Sequence, residues 1–207
     1  MTAPAFELHI TVRAEDDAAL ARFRAFCAES GIGCTVIELA RGEARRQPMT
    51  SSRYAGSLED VRAEAVVLSG VLEAAGFPVL RVKVEAHPEN PCAPATNEEA
   101  RLQPEGRYFE HHVKVVLPAE ASLERLVATC VPHGAHVSST TRRVRADGSH
   151  EHFVTTRHYG VGFSTALERR QALVEALVAA DFHWVSVKSE YAVVDTHAGL
   201  DRGWLPS

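Results

Sequence analysis

The feature that most constrains the fold is an internal repeat that runs through the 207-residue chain. At the start of each copy, Phe6-Glu7-Leu8-His9 is matched by Phe109-Glu110-His111-His112. At the end, Val82-Lys83-Val84-Glu85 is matched by Val187-Lys188-Ser189-Glu190, two residues further along than the first match implies. A repeat of this kind predicts two similar structural units in tandem.

Each copy shows the same series of local patterns. Apolar and polar residues alternate over residues 6–12 and again over 109–115, which is typical of a strand with one buried face. A helical spacing of apolar residues follows, then a hairpin, marked in the second copy by Asp147-Gly148 between two strand-like runs. A second helical pattern and a closing strand complete each copy. The predicted order is therefore strand, helix, strand, strand, helix, strand, twice.

This order resembles the ferredoxin-like βαββαβ plait, in which four antiparallel strands carry both helices on one face. The resemblance implies an α+β protein with two four-stranded antiparallel sheets. We expect the first unit at residues 1–88 and the second at 105–195, with a linker at 89–104 and a C-terminal tail at 196–207. The plait hosts many unrelated functions, so it predicts no particular activity.

Composition restricts the classes of partner. A net charge of -5 and a pI near 6.1 argue against general affinity for nucleic acid or for anionic membranes. The chain has no apolar stretch of membrane-spanning length and begins without a signal-peptide pattern, so we expect a cytoplasmic protein. Cys34 and Cys92 have no cysteine partner at metal-binding spacing, so a zinc site built on cysteine is not expected.

The polar residues of the first and last strands form the candidate site. In the plait these strands are adjacent and antiparallel, and the helices leave one face of the sheet open. The open faces should carry Glu7, His9, Lys83 and Glu85 in the first copy, and Glu110, His112, Lys188 and Glu190 in the second. If the two faces meet, two histidines and four carboxylates line a shared cleft.

We predict that this cleft binds a small polar or anionic molecule, and in the stronger form of the prediction transforms it. The candidate acid–base groups are His9, His112, Glu85 and Glu190, and the same four are candidate ligands for a divalent metal ion. Further candidate ligand-binding residues are Glu7, Glu110, Lys83, Lys188, Arg142, Arg157, Tyr54 and Tyr159. The lysines and arginines among them would neutralise an anionic substrate.

Two other interpretations remain open. Polar residues on the outer face of a strand commonly form solvated cross-strand pairs without any ligand, and the two lysines would oppose a bound cation. The chain could instead be a non-enzymatic module whose sheet edges or faces bind another protein or form a homodimer.

A short motif suggests one specific chemistry. His9-Ile10-Thr11-Val12 resembles the His-x-Thr signature of the 2H phosphoesterases, which use two such motifs in a duplicated fold. The matching segment of the second copy is His112-Val113-Lys114-Val115. Lysine replaces the expected hydroxyl residue there, which removes half of the catalytic set that the resemblance implies.

Overall fold

Local sequence signals begin most of the helices. Asp16 caps the first helix by accepting a hydrogen bond from the Ala19 backbone, and Ser57 and Asp60 form a capping box at the start of the second. Ser122 caps the helix of the second half that corresponds to the first helix. These caps satisfy backbone N–H groups that lack partners within the helix.

The computed structural model describes residues 5–39, 44–118 and 120–202, without the side chains of residues 139–144. Each half has the predicted order of strands and helices. The elements are β1 (Ala5–Val12), α1 (Asp17–Glu29), β2 (Gly33–Leu39), β3 (Arg46–Ala55), α2 (Leu58–Ala74), β4 (Val79–Ala86), α3 (Asn97–Ala100), β5 (Tyr108–Leu117), α4 (Leu123–Cys130), β6 (His136–Val144), β7 (His150–Tyr159), α5 (Phe163–Ala179) and β8 (His183–Asp195), with 3-10 turns at Val131–His133 and Ala198–Asp201.

The strands form one closed antiparallel barrel in the order β1-β3-β2-β6-β7-β5-β8-β4. The mixed α+β class is as predicted, but the prediction of two separate four-stranded sheets is wrong. The edge strands of the two halves pair with each other, as in Ile37↔Thr140 between β2 and β6 and Val84↔Val194 between β4 and β8. Pairing satisfies backbone groups that a free sheet edge leaves exposed, which is the physical reason for closure.

The helices lie outside the barrel and cover two hydrophobic cores, one centred in each half. In the first half, Leu8 and Ile10 of β1 are fully buried in a cluster with Phe23 and Leu72 of the helices. In the second half, the corresponding cluster is built around Val113, Val115, Leu126, Leu173 and Leu177. Because side chains alternate along a strand, the polar residues between these apolar ones point into the barrel.

The connection and the tail both pack on this frame. The segment predicted as a linker contains α3, and the backbone N–H of Gly162 donates to the side chain of Asn97. After β8, the 3-10 turn at Ala198–Asp201 places Asp201 inside the structure, where it is buried. None of the described helices is both long enough and apolar enough to cross a membrane.

Candidate functional site

The barrel encloses a cavity of about 320 Å³. The two polar faces predicted from the sequence meet there, because closure turns both of them inward. The cavity-lining residues include all eight members of the two repeated sets: Glu7, His9, Lys83, Glu85, Glu110, His112, Lys188 and Glu190.

In the first half, His9 lies between the backbone of β3 and two carboxylates. Its Nδ1 is 3.2 Å from the carbonyl oxygen of Thr50, which can only accept, so Nδ1 carries a proton. Its Nε2 is 3.2 Å from Glu85 Oε2 and 3.8 Å from Glu7 Oε2. Burial lowers the pKa of His9, but the hydrogen bond to Glu85 and the charge of that residue outweigh burial, and the net shift is upward.

In the second half, His112 occupies the equivalent position. Its Nε2 is 3.3 Å from Glu110 Oε2 and 3.4 Å from Glu190 Oε2, while Nδ1 is 2.9 Å from the hydroxyl of Thr155. Burial alone would lower the pKa of His112, but hydrogen bonds to Glu110 and Glu190 raise it to about 9. When no metal ion is bound in the cavity, His112 is therefore an imidazolium at neutral pH.

The two lysines connect the halves reciprocally. Lys83 contacts Glu85 of its own half at 2.5 Å and Glu110 of the other half. Lys188 contacts Glu190 of its own half at 2.6 Å and Glu7 of the other half at 2.7 Å. Their environments differ, because the Lys83 side chain is 11% exposed and that of Lys188 is 49% exposed.

A buried ionic network closes the barrel beside Lys83. Arg81 donates to both carboxylate oxygens of Asp195, at 2.8 and 2.6 Å. Asp201 accepts from Arg81 at 3.0 Å and from Arg157 at 2.6 Å through one oxygen, and from Gln47 at 2.8 Å through the other. The C-terminal turn therefore seals this end of the cavity with charge-assisted hydrogen bonds.

The rest of the cavity wall is less polar. Apolar side chains contribute one part of it: Ile37, Leu39, Met49 and Phe153. Hydroxyl groups are interspersed among them, from Thr11, Thr35, Ser51, Ser138 and Thr155. The cavity thus offers an ionic region and a mainly apolar region to a bound molecule.

The other predicted ligand-binding residues are placed differently. Arg157 lines the cavity and donates to Glu110, whereas the Arg142 side chain lies outside the described residues. Tyr54 pairs with Phe6 and packs against the core on the helix side. Tyr159 is half exposed and its ring lies 4.8 Å from that of Tyr108. Neither tyrosine is among the described residues that line the cavity.

Several residues of the buried ionic network were not among the candidates predicted from the sequence. Arg81 follows the same alternation as Lys83 and Glu85, so its inward direction was visible in the sequence. Asp195 and Asp201 gave no such signal, because their side-chain partners lie 44 to 154 residues away.

Three of the four side chains at the histidine and threonine positions of the two His-x-Thr-like segments line the cavity. His9 and Thr11 both line the cavity, as does His112. Lys114, however, lies 3.3 Å from Glu151 and over the ring of Phe153.

One group of described residues has the donors and spacing for a metal ion. Single ligand atoms of Glu85, His112 and Glu190 lie within 4.8 Å of one another. His9, also predicted as a ligand, lies beside this group through its contact with Glu85.

Comparisons with known proteins show similarity to solved structures alone. No protein-family model and no curated protein matches the chain. The regulatory subunit of aspartate kinase from Thermus thermophilus is 12% identical, with 86% of this chain and 93% of that chain covered and a TM-score of 0.32. A mutant chlorite dismutase from Candidatus Nitrospira defluvii is 13% identical, with 97% and 94% covered and a TM-score of 0.30. Similarity at this level carries no functional argument.

Proposed function

We propose that the barrel interior binds a small molecule with a polar group and an apolar body. The observation that supports this proposal is the cavity itself, because its ionic side faces a wall of apolar and hydroxyl side chains. Its volume of about 320 Å³ lies at the lower end of the range for ligand pockets, about 300–1,000 Å³. In this proposal the polar group contacts the His9 and His112 region, and the apolar body contacts Met49 and Phe153.

The charges inside the barrel favour an uncharged polar group over an anionic one. Among the described residues that line the cavity, five carboxylates face four permanent cations. Arg81 is shared with a sixth carboxylate, Asp195, and Glu7 also contacts the exposed Arg53 at 3.1 Å. Apart from Arg53, whose charge is solvated by water, two negative charges remain, and they are balanced when His9 and His112 both carry a second proton. A ligand with its own net charge would upset this balance in a buried site, which is costly.

The two histidines also suggest how a bound molecule could be transformed. Each imidazole lies against carboxylates and faces the same cavity, so the ligand would meet two groups that can give or accept a proton. In this form of the proposal, Glu85 and Glu190 stabilise the imidazolium ions. We expect His9→Gln and His112→Gln to reduce turnover of an identified substrate more strongly than its binding.

The alternative, an interaction module that uses its sheet edges, receives less support. Each of the eight described strands is paired on both sides in the closed barrel, so strand addition would require opening it. An interaction surface would instead have to use the helices, where Val66, Val67 and Val71 of α2 are exposed.

The binding proposal can be tested with three probes that share an alkyl chain. Hexanol, hexylamine and hexanoate would be titrated calorimetrically in the presence of a chelator. We expect hexanol to bind at least about tenfold more tightly than either charged probe, a difference of about 1.4 kcal/mol. Ser51→Phe, which places a ring in the cavity, should abolish binding. Ala63→Phe on the exposed face of α2 adds the same bulk elsewhere and should leave binding unchanged.

Two results would contradict the proposal. One is that none of the three probes binds to the wild-type protein. The other is equal binding by the wild type and Ser51→Phe, because the probe would then lie outside the barrel. Tighter binding of hexanoate than of hexanol would instead favour the anionic ligand class.

A further inference from the structure

We propose that Glu85, His112 and Glu190 form a binding site for one divalent transition-metal ion at the centre of the barrel. The three residues supply one imidazole nitrogen and two carboxylate oxygens, all within 4.8 Å of one another. This donor set suits ions such as Zn²⁺, Mn²⁺ and Fe²⁺. Three protein ligands leave further coordination positions for water or for a bound molecule, as in catalytic metal sites.

The ligands are held by three different strands of the closed barrel. Glu110 of β5 is directly opposite Glu190 of β8. His112 is two residues after Glu110 and points to the same face of β5, so His112 and Glu190 both lie on the interior side of adjacent strands. Glu85 comes from β4 of the first half, opposite Ala192 of β8. The site therefore exists only when both halves close the barrel, and rigid strands fix its donors.

The surrounding contacts orient the ligands towards a common point. The Thr155 hydroxyl is 2.9 Å from His112 Nδ1, which leaves Nε2 directed at the carboxylates. Glu85 and Glu190 each contact a lysine through Oε1, at 2.5 and 2.6 Å, and a histidine through Oε2. Contacts of this kind around ligating groups fix their orientation and strengthen metal binding.

The electrostatics of the cluster require a positive charge at this point. An imidazole nitrogen with a lone pair would be repelled by two carboxylate oxygens at 3.3 and 3.4 Å, so either a proton or a metal ion lies between them. The two negative charges that the cavity-lining cations leave unbalanced equal the charge of one divalent ion. The experiment must therefore distinguish a metal ion from a second proton on each histidine.

The repeat provides a matched control for this experiment. His9 is the equivalent of His112 in the first half and contacts Glu85, but the proposed ligand set uses His112. Chelator-treated wild type, His112→Gln, Glu190→Gln and His9→Gln would be titrated with Zn²⁺, and with Co²⁺ monitored by visible absorption. Thermal unfolding of each variant with and without Zn²⁺ would show that it is folded and whether the ion stabilises it.

We expect the wild type to bind one ion per chain, with a Co²⁺ spectrum distinct from that of the hydrated ion. His112→Gln and Glu190→Gln should weaken binding about 100-fold or more, whereas His9→Gln, which changes a neighbour of a ligand, should weaken it about tenfold or less. Exposed Glu89→Gln should have no effect.

Substoichiometric binding to the wild type, a hydrated-ion spectrum, or equal losses in His9→Gln and His112→Gln would overturn the proposal. The small-molecule proposal would survive such a result, because its titrations contain a chelator and no added metal.

Discussion

The reciprocal lysines allow a sharp test of how burial determines the strength of an ion pair. Lys83→Met and Lys188→Met change the same residue type at equivalent positions, opposite His9 and His112 respectively. Removing one partner of a buried ion pair costs about 3–5 kcal/mol, because the other charge is left buried and unpaired. Lys83 has little solvent exposure and two buried carboxylate partners, which keep only their contacts with His9, His112 and Arg157 when it is removed. We therefore expect a loss at the lower end of this range, about 3 kcal/mol.

The loss for Lys188→Met should be much smaller. The Lys188 side chain is 49% exposed, so its charge is already partly hydrated, and both carboxylates keep another partner when it is removed: Arg53 for Glu7 and His112 for Glu190. Exposed ion pairs contribute up to about 1 kcal/mol, and we expect a loss of that size. Urea unfolding followed by circular dichroism would measure both changes. Similar m-values would show that the mutations do not alter the amount of surface that becomes exposed on unfolding.

The effect of pH provides a second check on the same pair. Burial alone would raise the pKa of Glu85, but Lys83 and His9 more than reverse this and hold it below its usual value. In the wild type this contributes stability above the unfolded-state pKa of Glu85, which is lost as the pH falls towards the folded-state pKa. Without Lys83, burial should dominate and the carboxyl group should become protonated more easily. The cost of Lys83→Met should therefore be smaller at pH 5 than at pH 8.

Equal destabilisation by the two lysine substitutions would refute this reasoning. It would mean that burial does not distinguish the two ends of the cavity. A cost of Lys83→Met that increased on acidification would refute the electrostatic explanation specifically, because protonating the carboxylates that have lost Lys83 should relieve the penalty.

Three further predictions concern other parts of the structure. Asp201→Ala should destabilise the protein by about 1.5–3 kcal/mol in urea unfolding, because it removes buried hydrogen bonds to two arginines. Burial lowers the pKa of His158 to about 4, so the folded state resists a proton that the unfolded state accepts below about pH 6.5. The His158 contribution to the loss of stability between pH 6.5 and 4 should be about 3 kcal/mol, so the melting temperature should fall less steeply in His158→Phe than in the wild type. Gly162→Ala should destabilise by about 1–3 kcal/mol, because its Cβ would lie 2.2 Å from the carbonyl carbon of Thr96. Gly70→Ala, on an open helix surface, should stabilise by about 0.5–1 kcal/mol, and the opposite signs can be compared in one denaturation series.

The repeat and its alternation predicted much of the candidate site, but not the alignment of every strand. The matched tyrosines, Tyr54 and Tyr159, suggested equivalent positions in the two copies. In the structure Tyr54 is opposite Phe6, whereas Phe109, the counterpart of Phe6, is opposite His158. A shift of one residue sends a side chain to the other face of a sheet, so the two tyrosines have different environments.

The sequence by itself determined the order of elements, the helix caps and the set of side chains that share each strand face. These properties depend on neighbouring residues: a period of two separates Glu7 and His9 from Phe6 and Leu8 whatever surrounds the sheet. Only the tertiary structure decided what covers the polar faces, because the pairing of β2 with β6 and of β4 with β8 depends on strands distant in sequence. That closure buries Lys83, brings Glu85 close to His112, and leaves Asp201, 154 residues after Gln47, to seal one end of the barrel.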